Sequence, residues 1–240
     1  MSLKINEITF PTIQGEGFHI GQPAIFVRAQ GCDNQCWYCD TPQARDGANA
    51  RYDMNAEAIM ADIELKSHGN PLLVVLTGGN PALQDFSCLL KLLAGKHYPT
   101  AIETQGSVSR NWFSDLDFIT LSPKSPFEHS TGGTFKSIVA CINSFGGRYR
   151  SAEVCVKVVI RDGIDLGYTK ILFNMLDRCF PDNTMTYCVQ PLNKNFDVDS
   201  LYTMRGEYCR LVEEIIRAGL YRVRVLPQLH VWAWGNIQGR

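Results

Sequence analysis

The sequence predicts an α/β fold, an open partial (β/α)6 barrel with its active site at the C-terminal rim of the parallel strands. Three observations lead to this fold. Short apolar segments alternate with segments of helical periodicity along the 240 residues, which is typical of a parallel sheet built from βαβ units. We count six main strands, fewer than the eight of a closed barrel. The unusual residues all follow strands. A flat doubly wound sheet is the structural alternative.

Each predicted element rests on a local pattern. Strands are predicted at residues 24–29, 72–76, 100–103, 117–121, 154–160 and 185–189, with a last short strand at 221–226. Helices are predicted at residues 55–67, 81–95, 108–113, 135–145, 165–178 and 200–218. In the first helix Ile59, Met60 and Ile63 repeat at helical spacing, and Gly69 follows as a stop signal. Pro81 opens the second helix at a position where proline is tolerated.

Composition and charge exclude several classes of protein. The chain has 23 Lys and Arg against 24 Asp and Glu, and this balance excludes a strong overall attraction to nucleic acid or to an anionic membrane. No apolar run approaches the length of a spanning helix, and the N-terminus does not resemble a secretory signal. We therefore expect one cytoplasmic domain over residues 1–240, with no nucleic-acid and no membrane partner.

The nine cysteines fall into two groups. A disulfide framework fits poorly in a long chain without an export signal, so most of the scattered cysteines are expected to be buried in the core. The scattered ones are Cys88, Cys141, Cys155, Cys179, Cys188 and Cys209. The other three, Cys32, Cys36 and Cys39, lie together in the loop after the first predicted strand.

The spacing C-x3-C-x2-C favours an iron–sulfur cluster. Cysteine thiolates hold such clusters, and a cubane normally takes four ligands, so three cysteines leave one iron open for another molecule. Structural zinc is the rival, but it needs four Cys or His ligands, and the chain has neither a second C-x2-C pair nor an H-x3–5-H pair. A redox-active or simply buried triplet is the third reading, and the spacing favours the cluster over both alternatives.

The remaining distinctive motifs also follow predicted strands. They are TGGNP at residues 77–81, ETQG at 103–106, SPK at 122–124, Arg161 with Asp162, and QP at 190–191. Gly, Pro and polar residues mark all loops, but the connections at the opposite rim carry less distinctive chemistry. Because ligands bind at the C-terminal rim of α/β folds, we expect one large site there.

The cysteine loop, with Tyr38 before its last cysteine, resembles the signature of the radical S-adenosylmethionine superfamily. The resemblance implies a [4Fe–4S] cluster held by Cys32, Cys36 and Cys39 on a partial (β/α)6 barrel. It implies that the open iron is chelated by the amino and carboxylate groups of S-adenosylmethionine. Reduction of the cluster then yields a 5′-deoxyadenosyl radical in that superfamily.

A narrower resemblance covers nearly the whole chain. The motifs that carry it are PTIQGEG (11–17), FVRAQGC (26–32), CDT (39–41), TGGNPAL (77–83), ETQG, LSPK (121–124) and LPQLHVWAWGN (226–236). Together they resemble the 7-carboxy-7-deazaguanine synthase family of lyases. The resemblance implies conversion of 6-carboxy-5,6,7,8-tetrahydropterin to 7-carboxy-7-deazaguanine, a ring contraction with loss of ammonia, in queuosine and 7-deazapurine biosynthesis. It also implies Mg2+, an electron donor such as a flavodoxin and, commonly, a homodimer.

The same resemblance suggests a role for individual residues. Those expected to bind S-adenosylmethionine are Tyr38, Asp40, Gly78, Gly79, Asn80, Glu103, Gln105, Ser122, Pro123, Lys124 and Gln190. Those expected to bind the pterin are Ile13, Gln14, Gly15, Glu16, Arg28, Thr77, Gln228 and His230. Thr41 is expected to contact Mg2+, which prefers oxygen ligands. Beyond the cluster-bound cofactor, no catalytic residue is assigned.

For some of these residues a purely structural role, or a weaker one, is the alternative. Asn80 stands where many superfamily members have Glu, so its carbonyl can accept a hydrogen bond but supplies no charge. Arg28 suits a substrate carboxylate because guanidinium pairs with it through two bonds, although it could be a surface arginine. Thr41 could simply form a turn before Pro42. His230 lies on an apolar stretch, where a satisfied core histidine is the commoner case.

Two other function classes stay open at the level of sequence. A glycyl-radical activase would share the cluster but act on a protein, and it has no need for the TIQGEG segment. A zinc-stabilised interaction module would share only the cysteines.

Overall fold

The computed structural model describes residues 2–45, 51–125, 133–146, 153–193 and 200–235. Ten strands in these residues form one sheet. They are β1 (Leu3–Ile8), β2 (Thr12–Ile13), β3 (Pro23–Ala29), β4 (Tyr52–Met54), β5 (Leu73–Gly78), β6 (Thr100–Thr104), β7 (Phe118–Leu121), β8 (Val154–Ile160), β9 (Thr186–Pro191) and β10 (Val223–Val225). The six predicted main strands correspond to β3 and β5 to β9, and the expected tail strand is β10.

The sheet is open and its central part is parallel. Its order is β10-β9-β8-β7-β6-β5-β3-β1-β4, and β2 pairs with β3 on the side of this path. All pairs from β3 through β10 are parallel. Within the described residues the two ends of this path do not bond to each other, so the predicted open partial barrel is confirmed.

The sequence pattern did not reveal the antiparallel N-terminal part of the sheet. Strand β1 pairs antiparallel with β3 and with β4, and β2 pairs antiparallel with β3. Leu3 and Ile5 of β1 are buried, but polar residues surround them in the sequence, and this short alternation is a weak strand signal. The pairing of β1 with β3 has a functional consequence, because its register places Glu7 opposite Arg28.

Two of the predicted helices differ in the structure, which also has short helices at Pro42–Arg45 and Leu229–Trp234 that were not predicted. The helices are α1 (Pro42–Arg45), α2 (Ala56–Ser67), α3 (Ser87–Gly95), α4 (Phe135–Ser144), α5 (Gly163–Cys179), α6 (Ser200–Arg217) and α7 (Leu229–Trp234). The continuous helix predicted at 81–95 is wrong, because Pro81–Leu83 forms a separate 3-10 turn. The Asp85 carboxylate accepts from the N–H of Ser87 at 2.9 Å and marks a new helix start. The helix predicted at 108–113 is a 3-10 turn at Asn111–Asp115.

The strands bury both of their faces. On β3, Ile25 and Val27 belong to the large core that also contains side chains of the surrounding helices. The alternate residues Ala24 and Phe26 belong to a small second cluster with residues of β5 and β6. Since successive side chains of a strand point to opposite faces, the second cluster fills the inside of the partial barrel. The inner face is therefore apolar at the end where the strands begin.

The scattered cysteines and the surface complete the description. Cys141, Cys155 and Cys188 are buried, whereas the other three scattered cysteines, on α3, α5 and α6, are exposed. The expectation that most of the six are buried is therefore wrong, because an exposed helix face tolerates cysteine as easily as a core does. Among the described residues, no helix combines the length and the apolar character needed to cross a bilayer. The end of the LPQLHVWAWGN motif, Asn236, lies outside the described residues.

Candidate active site

The inner face of the sheet changes from apolar to polar toward the C-terminal rim. The successive inward residues are Phe26 and Arg28 on β3, Val75 and Thr77 on β5, Ala101 and Glu103 on β6, and Cys155 and Lys157 on β8. The polar member of each pair lines a cavity of about 540 Å³ at the rim. The two-residue period of the strands therefore positions a ring of polar side chains above an apolar floor.

The cysteine loop is held at this cavity by backbone hydrogen bonds. The N–H of Gly31 donates to the carbonyl of Ala44 at 2.8 Å, and that of Cys32 donates to Arg45 at 3.0 Å. The turn after β5 supports the loop from the other side, since the N–H of Asn80 donates to Gly31 at 2.8 Å. A Cβ at Gly79 would overlap the backbone of Gly31 and Ala44, so only glycine permits this close approach.

Asp33 connects the cysteine loop to the turns after β5 and β6. Its carboxylate accepts from Asn80 Nδ2 at 2.8 Å and from Gln105 Nε2 at 2.5 Å. The Asn80 carbonyl accepts from Thr104 Oγ1 at 2.8 Å and from the N–H of Ala82 at 3.2 Å. Asn80 is fully buried, so the structure gives it a supporting role in the loop. Its expected contact with S-adenosylmethionine stays a prediction.

The aromatic residue of the cysteine motif meets two cations from later strands. The ring centroid of Tyr38 lies 6.0 Å from Lys124 Nζ and 5.7 Å from the guanidinium of Arg161. Arg161 forms a two-bond pair with Asp165, with N···O distances of 2.6 and 2.8 Å. Lys124 Nζ lies 3.4 Å from Ser122 Oγ. The loops after β7 and β8 thus bring positive charge to the cysteine loop.

A buried ion pair lies across the cavity from the cysteines. Lys157 Nζ forms a hydrogen-bonded salt bridge with Glu16, and their side chains are 5% and 12% exposed. Burial alone would disfavour the charged forms of both groups. Each charge nevertheless outweighs the effect of burial on its partner, so the pKa of Glu16 is lowered and that of Lys157 is raised. Glu103 lies 4.0 Å from the same ammonium.

Amide side chains complete the surroundings of the two carboxylates. Gln190 Nε2 and Gln228 Nε2 both donate to Glu16 Oε1, at 3.0 and 2.6 Å. Gln14 Nε2 donates to Glu103 Oε1 at 3.0 Å. Gln190, expected to bind S-adenosylmethionine, therefore bonds to a residue expected to bind the pterin.

A segment near the N-terminus and one near the C-terminus meet beside Glu16. The N–H of Leu229, at the start of α7, donates to the carbonyl of Gly15 at 2.9 Å. A Cβ at Gly15 would overlap the ring and backbone of His230, so the absence of a side chain allows this contact. The N-terminal segment with Gln14 and Glu16 is consequently held in place by the C-terminal segment.

Arg28 lies at the cavity with part of its guanidinium engaged. Its Nε donates to Glu7 Oε2 at 3.2 Å, and the guanidinium lies 5.5 Å from the ring centroid of Phe26. Because this pair uses Nε, the two terminal nitrogens are left for a carboxylate in the cavity.

Thr41 Oγ1 donates to Asp40 Oδ1 at 2.7 Å, so two oxygens suited to Mg2+ lie together at the edge of the cavity.

Comparisons with known proteins agree with this geometry. Residues 26–160 match the radical SAM superfamily. The chain is 36% identical over 248 residues to 7-carboxy-7-deazaguanine synthase of Bacillus subtilis, with 99% of this chain and 98% of that protein covered. It is 33% identical to the enzyme of the same name from Bacillus cereus, with 99% and 98% covered.

The chain belongs to the radical SAM superfamily and, within it, to the 7-carboxy-7-deazaguanine synthase family. The crystal structure of QueE from Escherichia coli has the same fold, with a TM-score of 0.68 over 94% of this chain and 93% of that one, at 23% identity. A [4Fe–4S] cluster and S-adenosylmethionine are the cofactors of this superfamily member. The named relatives are synthases of this family, so neither a zinc module nor a glycyl-radical activase is supported.

The cysteine side of the cavity fits these cofactors. Across the described ranges no three His, Cys, Asp or Glu side chains converge tightly enough for a single metal ion. A cubane accepts the wider spacing of Cys32, Cys36 and Cys39, because each thiolate binds a different iron. Burial raises the pKa of the Cys32 and Cys39 thiols, so their thiolates need the positive charge of bound iron.

Asn34 is a second sign that the cysteine side is built around a bound group. The residue is 2% exposed, and neither polar atom of its side chain has a hydrogen-bond partner in the described part of the chain. A buried polar group without a partner costs about 1–3 kcal/mol. Asn34 lines the cavity between two of the cluster cysteines, where a bound cofactor can supply the partner.

Most residues expected from the sequence gather at this one cavity. Of those expected to bind S-adenosylmethionine or the pterin, all but Asn80 and Pro123 line it. The sequence reading missed Lys157, Asn34 and Glu7, which also line the cavity. A signal for Lys157 was present, since it is a single charged residue in the apolar strand VCVKVVI.

Proposed function

We propose that the chain converts 6-carboxy-5,6,7,8-tetrahydropterin to 7-carboxy-7-deazaguanine with loss of ammonia, as a single domain spanning residues 1–240. It is a lyase of queuosine and 7-deazapurine biosynthesis. The observation that carries this function is the composition of one cavity. Three thiols, Arg28 and the Glu16 network all line it. The full-length similarity to the Bacillus subtilis enzyme supports the same conclusion.

The cysteine side holds the cofactors. When bound, the reduced cluster and S-adenosylmethionine supply a 5′-deoxyadenosyl radical. Gly78 and Gly79 let the turn after β5 pack directly against the backbone that leads into the cysteine loop. Gln105 and Asn80 keep the cysteine loop in place through Asp33, and Lys124 contributes positive charge near Tyr38.

The opposite side holds the pterin. Arg28 pairs with the substrate carboxylate through its terminal nitrogens, while Glu7 fixes the direction of the guanidinium. Glu16 and Gln14 present oxygen acceptors and an amide to the edge of the pterin. Thr41 and Asp40 would hold Mg2+, which would supply a template for orienting the substrate. Holding the carboxylate and the ring together fixes the reacting carbon toward the cofactor.

The proposed surroundings of the enzyme follow from the family. We propose a homodimer in the cytoplasm that receives electrons from a small redox protein such as a flavodoxin. None of the nine cysteines forms a disulfide in the structure, which suits a reducing compartment. Sedimentation of the purified protein tests the dimer, and turnover with reduced flavodoxin in place of a chemical reductant tests the donor.

An anaerobic turnover assay tests the function. The reconstituted and reduced protein is incubated with the tetrahydropterin, S-adenosylmethionine and Mg2+, and the carboxydeazaguanine and ammonia are quantified. We expect both products in equal amounts, and neither from the Cys39→Ala variant. If the brown, cluster-loaded protein cleaves S-adenosylmethionine but leaves the pterin unchanged, the proposed substrate is wrong.

A further inference from the structure

Lys157, Glu16, Gln190 and Gln228 form a hydrogen-bond relay in the cavity wall. Lys157 on β8 donates to one carboxylate oxygen of Glu16, and the two glutamines donate to the other. Gln190 and Gln228 are 2% and 6% exposed. The relay thus joins four separate segments of the chain in a buried position, with one carboxylate at its centre.

The direction of these bonds fixes the orientation of both amides. An ionised carboxylate is an acceptor only, so it can be paired only with the NH2 groups of the two glutamines. Their carbonyl oxygens consequently point away from Glu16. Gln190 Oε1 and Gln228 Oε1 are buried and have no partner in the part of the chain that the structure describes. Both residues line the cavity, so a bound ligand can satisfy these two acceptors.

The polarity of this wall depends on the charge of Lys157. Glu103 and His230 are the other charged or titratable groups that face Glu16 and Lys157, together with the Cys155 and Cys188 thiols beneath the ammonium. Lys157 is the cation that bonds directly to Glu16. Without it, burial would favour a protonated Glu16, which could donate a hydrogen bond and allow the amides to turn around.

We propose that Lys157 is a positioning residue for the substrate wall, by which we mean Glu16, Gln190 and Gln228. It determines whether the two amides of this wall present acceptors or donors to the cavity. By keeping Glu16 an acceptor, it turns the Gln190 and Gln228 carbonyls toward the cavity, where they select a ligand edge rich in N–H donors. The amino and ring N–H groups of a reduced pterin form such an edge. This inference rests on the proposed function and adds Lys157 and Gln190 to the residues that determine its substrate.

The test compares kcat and KM for the tetrahydropterin between pH 6 and 8.5. The variants are Lys157→Met, Lys157→Arg, Glu16→Gln and the double variant, with Lys91→Met on the exposed surface of α3 as the matched control. We expect KM to rise on the order of tenfold or more in Lys157→Met at pH 7, since two carbonyl acceptors would be turned away from the ligand. Lys157→Arg and Lys91→Met should stay within a few-fold of wild type.

The pH profile separates this role from simple loss of structure. In Lys157→Met burial is the largest influence on Glu16 and raises the pKa of its carboxyl, so we expect Glu16 to be protonated at low pH and to become an acceptor again as pH rises. The ratio of wild-type to variant kcat/KM should therefore fall with increasing pH. That ratio should be flat for the double variant, which lacks the carboxylate. Formation of 5′-deoxyadenosine without substrate should be similar in all of these proteins.

Three results would overturn the proposal. The first is a pH-independent ratio of wild-type to Lys157→Met kcat/KM, and the second is an unchanged KM at every pH. Loss of cluster absorbance or of uncoupled cofactor cleavage in both Lys157 variants would also reject it. Lys157 would then be needed for the folded structure as a whole and not for the orientation of the two amides. Failure of the proposed function looks different, since the wild-type protein itself would then make no carboxydeazaguanine.

Discussion

The two sides of the cavity differ in how complete they are without a ligand. On the substrate side, Glu16 and Lys157 neutralise each other, and the amides around them already have partners for their NH2 groups. On the cofactor side, three thiols line the cavity, and the Asn34 amide has no partner among the described residues. The comparison teaches that the protein itself orients the substrate wall and leaves the Gln190 and Gln228 carbonyls for a ligand, whereas the cysteine loop depends on the group that it binds.

The largest expected effect is on the cofactor side. Replacing Cys32, Cys36 or Cys39 by Ala should abolish both cluster binding and turnover, because each thiolate holds one iron and the loop offers no substitute. Iron and sulfide content and the visible absorbance of the reconstituted protein give the measurement. Cys209→Ala on the exposed surface of α6 is the control and should retain its cluster. A colourless Cys209 variant would contradict the ligand assignment.

A pair of glycine substitutions separates the two sides. Gly79→Ala should displace the cysteine loop and lower both cluster content and cleavage of S-adenosylmethionine, because its Cβ meets backbone atoms. Gly15→Ala should leave both intact but reduce coupled turnover on the order of a hundredfold, because a small misplacement near the reacting atoms is costly. Gly95→Ala, where a Cβ meets nothing within 4 Å, is the control. Equal losses in the first two variants would show that the sides are not separable.

Arg28 provides a test within the substrate side. Arg28→Ala should lower carboxydeazaguanine formation by roughly ten- to a hundredfold, because a charge-assisted bond to the substrate carboxylate is lost. Uncoupled formation of 5′-deoxyadenosine should survive, since the described partners of Arg28 are Glu7 and Phe26, which lie outside the cysteine loop. Glu7→Gln should have a smaller effect, as it only loosens the direction of the guanidinium. Loss of cofactor cleavage in Arg28→Ala would instead place Arg28 on the cofactor side.

The smallest expected effect concerns Mg2+. Thr41→Ala should raise the Mg2+ concentration needed for half-maximal turnover by roughly several-fold, because one oxygen ligand among several is removed. The measurement is a titration of Mg2+ against product formation in both proteins. Thr41→Ser keeps the hydroxyl and should behave like wild type. Superimposable curves for Thr41→Ala and wild type would remove Thr41 from the metal site.

The sequence was sufficient for the features that depend on local pattern. The runs at 72–76 and 154–160 are apolar enough to predict buried parallel strands, and the spacing of the cysteines predicts their joint function. Strand β1 was missed because its burial depends on pairing with β3, which no local pattern records. The break between Pro81 and Ser87 was missed because a local bond from the Ser87 N–H to the Asp85 carboxylate competes with the helical pattern.

The sequence predicted which residues line the site better than it predicted which residues they bond to. Lys157 lies in an apolar strand, and only the three-dimensional approach of Glu16, 141 positions away, explains how its charge is buried. Gln190 lines the cavity and Asn80 does not, and their bonds to Glu16 and Asp33 join segments that are distant in the sequence. Such long-range pairings depend on topology and not on residue pattern.

The bond between Gln228 and Glu16 determines the order in which the two parts of the site form during translation. All the hydrogen-bond partners described for Gly31, Cys32 and Asp33 lie within the first 105 residues. Gln228, which bonds to Glu16 across 212 positions, is among the last residues to leave the ribosome, after a delay on the order of ten seconds. The nascent chain therefore completes its cofactor loop well before its substrate wall. A product truncated ahead of Gln228 would retain the cysteines that support radical formation and lack the wall that directs the radical to a pterin.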